Sequence, residues 1–305
     1  MTQPERIVAA IDIGSNTLKL TVAKVGNGLV KPVYGDAQVV RLSTGLAETG
    51  RLREDRIELA ITALRAFTEE ARANRATEIT AVATEATRSA ENGPDFLDRV
   101  RAEVGIDVQV IDGDEEARLT SDGVLAQIDR SGRILIADIG GASTELIATR
   151  DGNVLGTVSL GIGSGIMTDQ IVPSDPPRAG ELDRVEQAAA DLAGAFLADR
   201  GEFDRIILVG GVGSFLLALV DKVGIVPPSV LDDARRITQA VSSHALAPAV
   251  NAPVARARVL PAGFAIARAI CRLSAAPAIE SVANGLRIGI LLRIAGSGAR
   301  EETPR

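Results

Sequence analysis

Two short runs set an acid, glycines and hydroxyls in series. The first is Asp12-Ile-Gly-Ser-Asn-Thr17, after an apolar segment. A strand there would deliver the Asp12 carboxylate at its end, Gly14 would let the backbone turn, and Ser15, Asn16 and Thr17 would offer donors. Amides of such a turn can point at one anion, which suits a phosphate oxygen. A plain hairpin closed by an Asx-type bond would read the same way. The second run, Asp138-Ile-Gly-Gly-Ala-Ser-Thr-Glu145, repeats the pattern, with Gly140, Gly141, Ala142, Ser143 and Thr144 after the acid. Two such turns, one per domain, are expected to grip a phosphate chain from opposite sides. Asp12 and Asp138 would then converge on a divalent cation, because hard cations take oxygen ligands. A third turn, Leu208-Val-Gly-Gly-Val-Gly-Ser214, follows another apolar segment. Gly210 and Gly211 can approach a phosphate or nucleoside there, or simply let a strand and helix pack closely. This run does not fit the dinucleotide fingerprint.

Composition closes other routes. The 305 residues include one His (His244), one Cys (Cys271), no Trp, one Tyr and six Phe. Neither a multi-histidine metal site, a cysteine zinc site nor an internal disulfide can be built from these. So few aromatics disfavour a base-stacking nucleic-acid platform. A net charge of −7 argues against a general DNA or membrane-surface binder. The first residues lack a signal-peptide layout, and no apolar run approaches the ~20 residues that span a bilayer. A cytoplasmic location is therefore expected. His244 reads as an ordinary packed or surface residue, and Cys271 as a small buried apolar one.

The elements that must hold these residues follow from periodicity. Strands are expected at 6–13, 17–25 and 30–40, with a hairpin turn at Asn27-Gly28. In the second of them, Leu18, Leu20 and Val22 face one way and Lys19 and Thr21 the other. Ile57, Ile61, Leu64 and Phe67 keep helical spacing over 54–73. A strand at 78–84, a helix at 95–104 stopped by Gly105, and a strand at 108–111 complete the first half. The second half repeats the order: strands at 133–138, 144–149 and 154–160, a helix at 179–200, a strand at 206–209 and a final helix at 281–295. Residues 172–178 read as an internal loop and 296–305 as a frayed tail. The repeat, from Asp12 to Asp138, is too long for a solenoid. It predicts an α/β protein of two duplicated domains, 1–126 and 127–305, flanking a cleft that closes by a hinge. The last helix could pack back on the first domain.

In order along the chain stand DIGSNTLKL at 12–20, AVATEATR at 81–88, DEEAR at 114–118, DIGGASTE at 138–145 and GLRIG at 285–289. Together they resemble the exopolyphosphatase/guanosine pentaphosphate phosphohydrolase family, within the acetate kinase, sugar kinase, heat-shock chaperone and actin superfamily. The resemblance covers nearly the whole chain and looks like the short form, without the helical extension of longer members. It implies two actin-like (ribonuclease H-like) domains. It makes Glu116 the general base that activates water, and Glu145 a second acid that positions the water or metal. It implies that Asp12 and Asp138 are metal-linked, the metal being Mg2+ or alternatively Mn2+. It implies that Gly14, Ser15, Asn16, Gly140, Gly141, Ser143 and Thr144 cradle phosphates; Thr17, Ala142, Gly210 and Gly211, in the same kind of turn, are expected to join them. Arg88 would lie near the phosphate, and Lys19, Arg256 and Arg258 would hold more distal ones.

An isolated glutamate is a poor base at neutral pH, and acidic neighbours such as Glu115 would strengthen Glu116. A solvated helix start is the plainer reading of Glu115-Glu116, and a helix cap or surface pair that of Arg88. Four positions depart from the family pattern: Ala142 stands where a third glycine is common, Arg258 for an acid, Ala262 for a glycine and Ile288 for a Glu. The implied substrates are inorganic polyphosphate, from which terminal orthophosphate would be released, and guanosine pentaphosphate. A homodimer is implied as well. The alternatives are a weakly catalytic sensor of guanosine tetra- or pentaphosphate and an ATP-using kinase or ATPase of the same superfamily.

Overall fold

β1 (Arg6–Ile13) and β2 (Thr17–Gly26) run antiparallel, and β3 (Leu29–Val39) pairs antiparallel with β2. The turn between β2 and β3 places Asn27 and Gly28 at φ 53° and 72°, the left-handed pair that a tight hairpin requires. The chain continues through α1 (Leu46–Thr49), α2 (Glu54–Ala73), β4 (Glu78–Ala83), α3 (Glu85–Ser89), α4 (Gly93–Val104), β5 (Val108–Val110) and α5 (Gly113–Leu125). β4 lies parallel to β1, and the sheet order is β3-β2-β1-β4-β5. This is a computed structural model, and it describes residues 5–297.

The second half repeats the arrangement. It contains β6 (Arg133–Ile139), β7 (Thr144–Arg150), β8 (Asn153–Leu160), α6 (Ser164–Ile171), α7 (Ala179–Ala198), β9 (Arg205–Val209), α8 (Gly211–Leu219), α9 (Val230–Ala240), α10 (Ser243–Ala249), α11 (Val254–Ala257), α12 (Leu260–Ser274) and β10 (Ile279–Val282). Its sheet order, β10-β9-β6-β7-β8, is the first sheet's order with each strand replaced by its counterpart. α13 (Leu286–Ser297) ends the described chain.

Two units result: residues 5–126 with 285–297, and Gln127–Asn284. The second unit therefore stops at Asn284 instead of running on, and α13 belongs to the first. In the first unit the period of two along β1 feeds two cores. Ala9, Ile11 and Ile13 pack with Ile57, Leu64 and Phe67 of α2. Val8 and Ala10 pack on the other face with Leu119 of α5 and with Leu286, Ile290, Leu291 and Ile294 of α13. Each fully buried Leu or Phe contributes about 1.5–3 kcal/mol. In the second unit Leu135, Ala137 and Ile139 of β6 pack into one core with α7 and α12.

The helix expected over 281–295 is two elements. Ile279–Val282 pairs in parallel with β9, and the helix begins only at Leu286. Ile279 and Val282 are three apart, a spacing a helix also allows, so only the neighbouring strand decides between them. Gly296 and Ser297 are still helical, and the remainder of the expected tail, 298–305, lies outside the described residues. His244 is exposed on α10, while Cys271 is buried on α12. Among the described residues, no helix is long and apolar enough to cross a membrane.

Candidate active site

Alternation along β1 sets Asp12 on the face of Val8 and Ala10, which α5 and α13 cover. Asp12 is buried, at 7% exposed, and lies opposite Lys19 in the β1–β2 register. The Lys19 ammonium stands 3.8 Å from its carboxylate. Lys19 is thus an immediate neighbour of Asp12 and offsets its charge.

The turn after Asp12 has little room. A Cβ on Gly14 would sit 2.9 Å from the Thr17 carbonyl oxygen, so only glycine fits without a shift. Ser15 and Asn16 are buried, and their carbonyl oxygens accept from the Ser43, Val40 and Arg41 amides at 2.9–3.1 Å. The 40–43 segment thereby braces the turn. The Asn16 side-chain amide and the Thr17 hydroxyl are buried without a hydrogen-bond partner among the described residues. A buried donor left unmade costs about 1–3 kcal/mol. A phosphate oxygen is an acceptor that would satisfy one.

α5 brings Glu116 to the same unit. Its N-cap is Asp112, whose carboxylate accepts from the Glu115 amide at 2.8 Å. Asp114, Glu115 and Glu116 occupy the first turn, where the helix dipole favours negative charge. The two glutamates then part. Glu115 pairs with Arg118 at 2.8 Å and with Arg293 of α13 at 2.6 Å. Glu116 is buried, at 8% exposed, which sets aside a fully solvated helix start. With two guanidinium groups on Glu115, its charge is offset, and it is a weak source of the repulsion expected to strengthen Glu116.

Arg88 does not reach out. Its guanidinium donates to Glu85 and to the carbonyl of Ile111, the residue before the α5 N-cap, and so ties α3 to the start of α5. α5 is also held by α13. A Cβ on Gly289 would lie 1.9 Å from the Leu119 carbonyl oxygen, and one on Gly123 2.0 Å from that of Gly285. Ile288, where the family commonly has Glu, is buried in this packing.

In the second unit, Asp138 lies directly opposite Glu145 across β6 and β7. Glu145 is 2% exposed, and its carboxylate accepts from the Ser159 hydroxyl at 2.7 Å. Like charges directly opposite in a ladder destabilise it, which a cation would relieve. Among the described residues, no group of three or more His, Cys, Asp or Glu could hold a metal ion. The Asp138–Glu145 pair nevertheless fits Mg2+, which is held by one or two carboxylates together with substrate phosphates and water. Asp12 is less suited, since Lys19 already lies beside it.

The Gly140-Gly141 turn closes with the Gly140 amide donating to the Ser143 carbonyl at 2.9 Å. Ala142 is buried, and so is Ser143. Thr144 is 0% exposed, and its hydroxyl donates to the Ile162 carbonyl at 2.7 Å, so that hydroxyl is already engaged. Arg258 is likewise diverted, donating to the Val172 carbonyl at 2.5 Å, and Ala262 is buried in α12. Arg256 lies beside the third glycine turn. Its guanidinium lies against Gly211 and 5.4 Å from the Phe215 ring centroid. Burial pulls it down to about 10, while the charge of Asp138 acts the other way. Gly210 has φ 72° and ψ −146°, a conformation that favours glycine, and its amide donates to the Val282 carbonyl.

One element of the second turn escaped the sequence reading. Ser164 donates from its amide and its hydroxyl to the Gly140 carbonyl, and the Gly165 and Ile166 amides donate to that of Gly141. A Cβ on Gly163 would be 2.5 Å from the Ala142 nitrogen. The signal was the glycine-dense run Gly161-Ile-Gly-Ser-Gly165 after a strand.

The model of the Ppx/GppA phosphatase family matches residues 21–200. A curated relative, Exopolyphosphatase 1 of Mycobacterium tuberculosis (strain ATCC 25618 / H37Rv), is 34% identical over 172 residues, 56% of this chain and 50% of the relative. The chain thus spans about half the length of the curated relatives it matches. A crystal structure of the Aquifex aeolicus Ppx/GppA family member superposes with a TM-score of 0.77 at 28% identity, over 99% of this chain and 100% of that one. The exopolyphosphatase from Cytophaga hutchinsonii shares the fold, with a TM-score of 0.88 at 21% identity over 96% of this chain and 98% of its own.

Proposed function

We propose that this chain, which belongs to the Ppx/GppA phosphatase family, is an exopolyphosphatase that releases terminal orthophosphate from inorganic polyphosphate. The observation that carries this reading is the buried Glu116, held in the first turn of α5 on the side of the sheet that presents Asp12. Family resemblance gives Glu116 the part of general base. It takes a proton from the water that attacks the terminal phosphorus. The anhydride bond to the next phosphate breaks, and the shortened chain leaves with the bridging oxygen.

Phosphoryl transfer needs positioning and charge neutralisation more than covalent chemistry. The Asn16 and Thr17 donors, Lys19 and Arg256 supply both at their own turns. Asp138 and Glu145 are the residues that would hold a divalent cation, Mg2+ or Mn2+, whose charge would neutralise phosphate oxygens. Guanosine pentaphosphate is a second candidate substrate. Seven aromatic residues in the chain leave little to stack a guanine, which favours plain polyphosphate. A cytoplasmic homodimer belongs to the same reading.

The test is an orthophosphate-release assay with Mg2+, comparing polyphosphates of several lengths with guanosine pentaphosphate and ATP. Release from polyphosphate is expected, with Glu116→Gln lowering kcat by about 10²–10⁴-fold. No release by the native protein, or an unimpaired Glu116→Gln, overturns the proposal. Turnover of ATP alone would point to the kinase or ATPase alternative.

A further inference from the structure

Thr120 lies on α5 four residues after Glu116, so the two side chains share one helix face a single turn apart. Thr120 is 0% exposed, and its hydroxyl has no hydrogen-bond partner among the described residues. A buried helical threonine ordinarily returns its hydroxyl to the carbonyl four residues back. Thr68 does so to Leu64 at 2.8 Å, Thr168 to Ser164 at 2.7 Å and Thr238 to Ala234 at 2.9 Å. Thr120 does not, although the Glu116 carbonyl stands at that spacing. Valine would fill the same volume without an unmet polar group. A hydroxyl kept off its own helix in a dry place is available to a polar group on the same face. Glu116 lies on that face, one turn back.

We propose that Thr120 is a positioning residue: in the substrate-bound enzyme its hydroxyl donates to the Glu116 carboxylate and holds it in the rotamer that receives the proton of the attacking water. This rests on Glu116 being the base. The hydrogen bond fixes one carboxylate oxygen and leaves the other directed at the water. Its effect therefore falls on the chemical step and not on polyphosphate binding.

The experiment compares Thr120→Val, Thr120→Ser and Glu116→Gln for polyphosphate turnover and thermal unfolding. Thr120→Val should unfold at or above the native temperature, because it removes an unmet polar group. It should lower kcat about tenfold and move KM by less than twofold. Thr120→Ser should keep kcat within about twofold of native. A Thr120→Val enzyme with native kcat overturns the proposal, as does a Thr120→Ser enzyme as slow as Thr120→Val, which would make the methyl the important group. Loss of kcat accompanied by a lowered unfolding temperature in Thr120→Val also overturns it, in favour of packing. If Glu116→Gln stays active, or no release is seen at all, the reading of Glu116 fails and the role of Thr120 fails with it. An inactive Glu116→Gln beside an unimpaired Thr120→Val removes only the latter.

Discussion

Arg256 stands against Gly211 and over Phe215, with burial pulling its guanidinium down to about 10. At neutral pH it is still charged. The unfolded chain binds that proton more tightly, so below about pH 10 the charged side chain opposes folding, and stability is regained only as pH climbs through about 10 toward the ordinary arginine value. A residue kept at a cost to stability is a candidate for function. Arg256→Met should therefore unfold at a higher temperature at pH 7, while KM for polyphosphate rises about tenfold, the loss of one charge-assisted phosphate contact. Circular dichroism melts and initial rates check the two halves of this prediction. The residue types at both turns were legible in the sequence. Which of them were already spoken for was not: Thr144, Arg88 and Arg258 bond to carbonyls contributed by residues 18, 23 and 86 positions away.

At the scale of elements, the job of α13 is to hold α5. Gly123 and Gly289 let the two helices touch backbone to backbone, and Arg293 adds its bond to Glu115. Gly289→Ala forces a methyl to within 1.9 Å of the Leu119 carbonyl oxygen unless the helices separate. Overpacking of this kind costs about 1–3 kcal/mol, so urea unfolding should show a loss near the upper end of that range. Turnover should fall as well, because α5 carries Glu116. The GLRIG run was visible as a family signature, yet its spacing alone did not say that its glycines face another helix. Long periodic elements such as α2 and α7 were legible because a solvated face leaves a pattern. β10 and the short helices were not, since four or five residues are too few to show either period.

For the whole molecule, one topology is used twice, but the two copies are completed differently. The core of the second unit is drawn from residues within Gln127–Asn284. The first unit needs the distal segment: Leu286, Ile290, Leu291 and Ile294 cover Val8, Ala10, Val82 and Leu119. Deleting 285–305 should therefore leave β1 and α5 amides exchanging rapidly while those of β6 and α12 stay protected. Hydrogen exchange followed by mass spectrometry separates them, and uniform protection in the deleted chain would contradict this division.

The sequence by itself determined the duplicated α/β pattern, the acids and the glycine turns, and left too few histidines and cysteines for a multi-histidine site or an internal disulfide. These are local properties, set by side-chain type and by periods of two and 3.6 residues. Tertiary structure decided which groups are committed. Burial parted Glu116 from Glu115, strand register placed Lys19 opposite Asp12 and Glu145 opposite Asp138, and a helix far along the chain fixed α5. Register, burial and hydrogen-bond partners depend on residues distant in the chain, and no short window of sequence contains them.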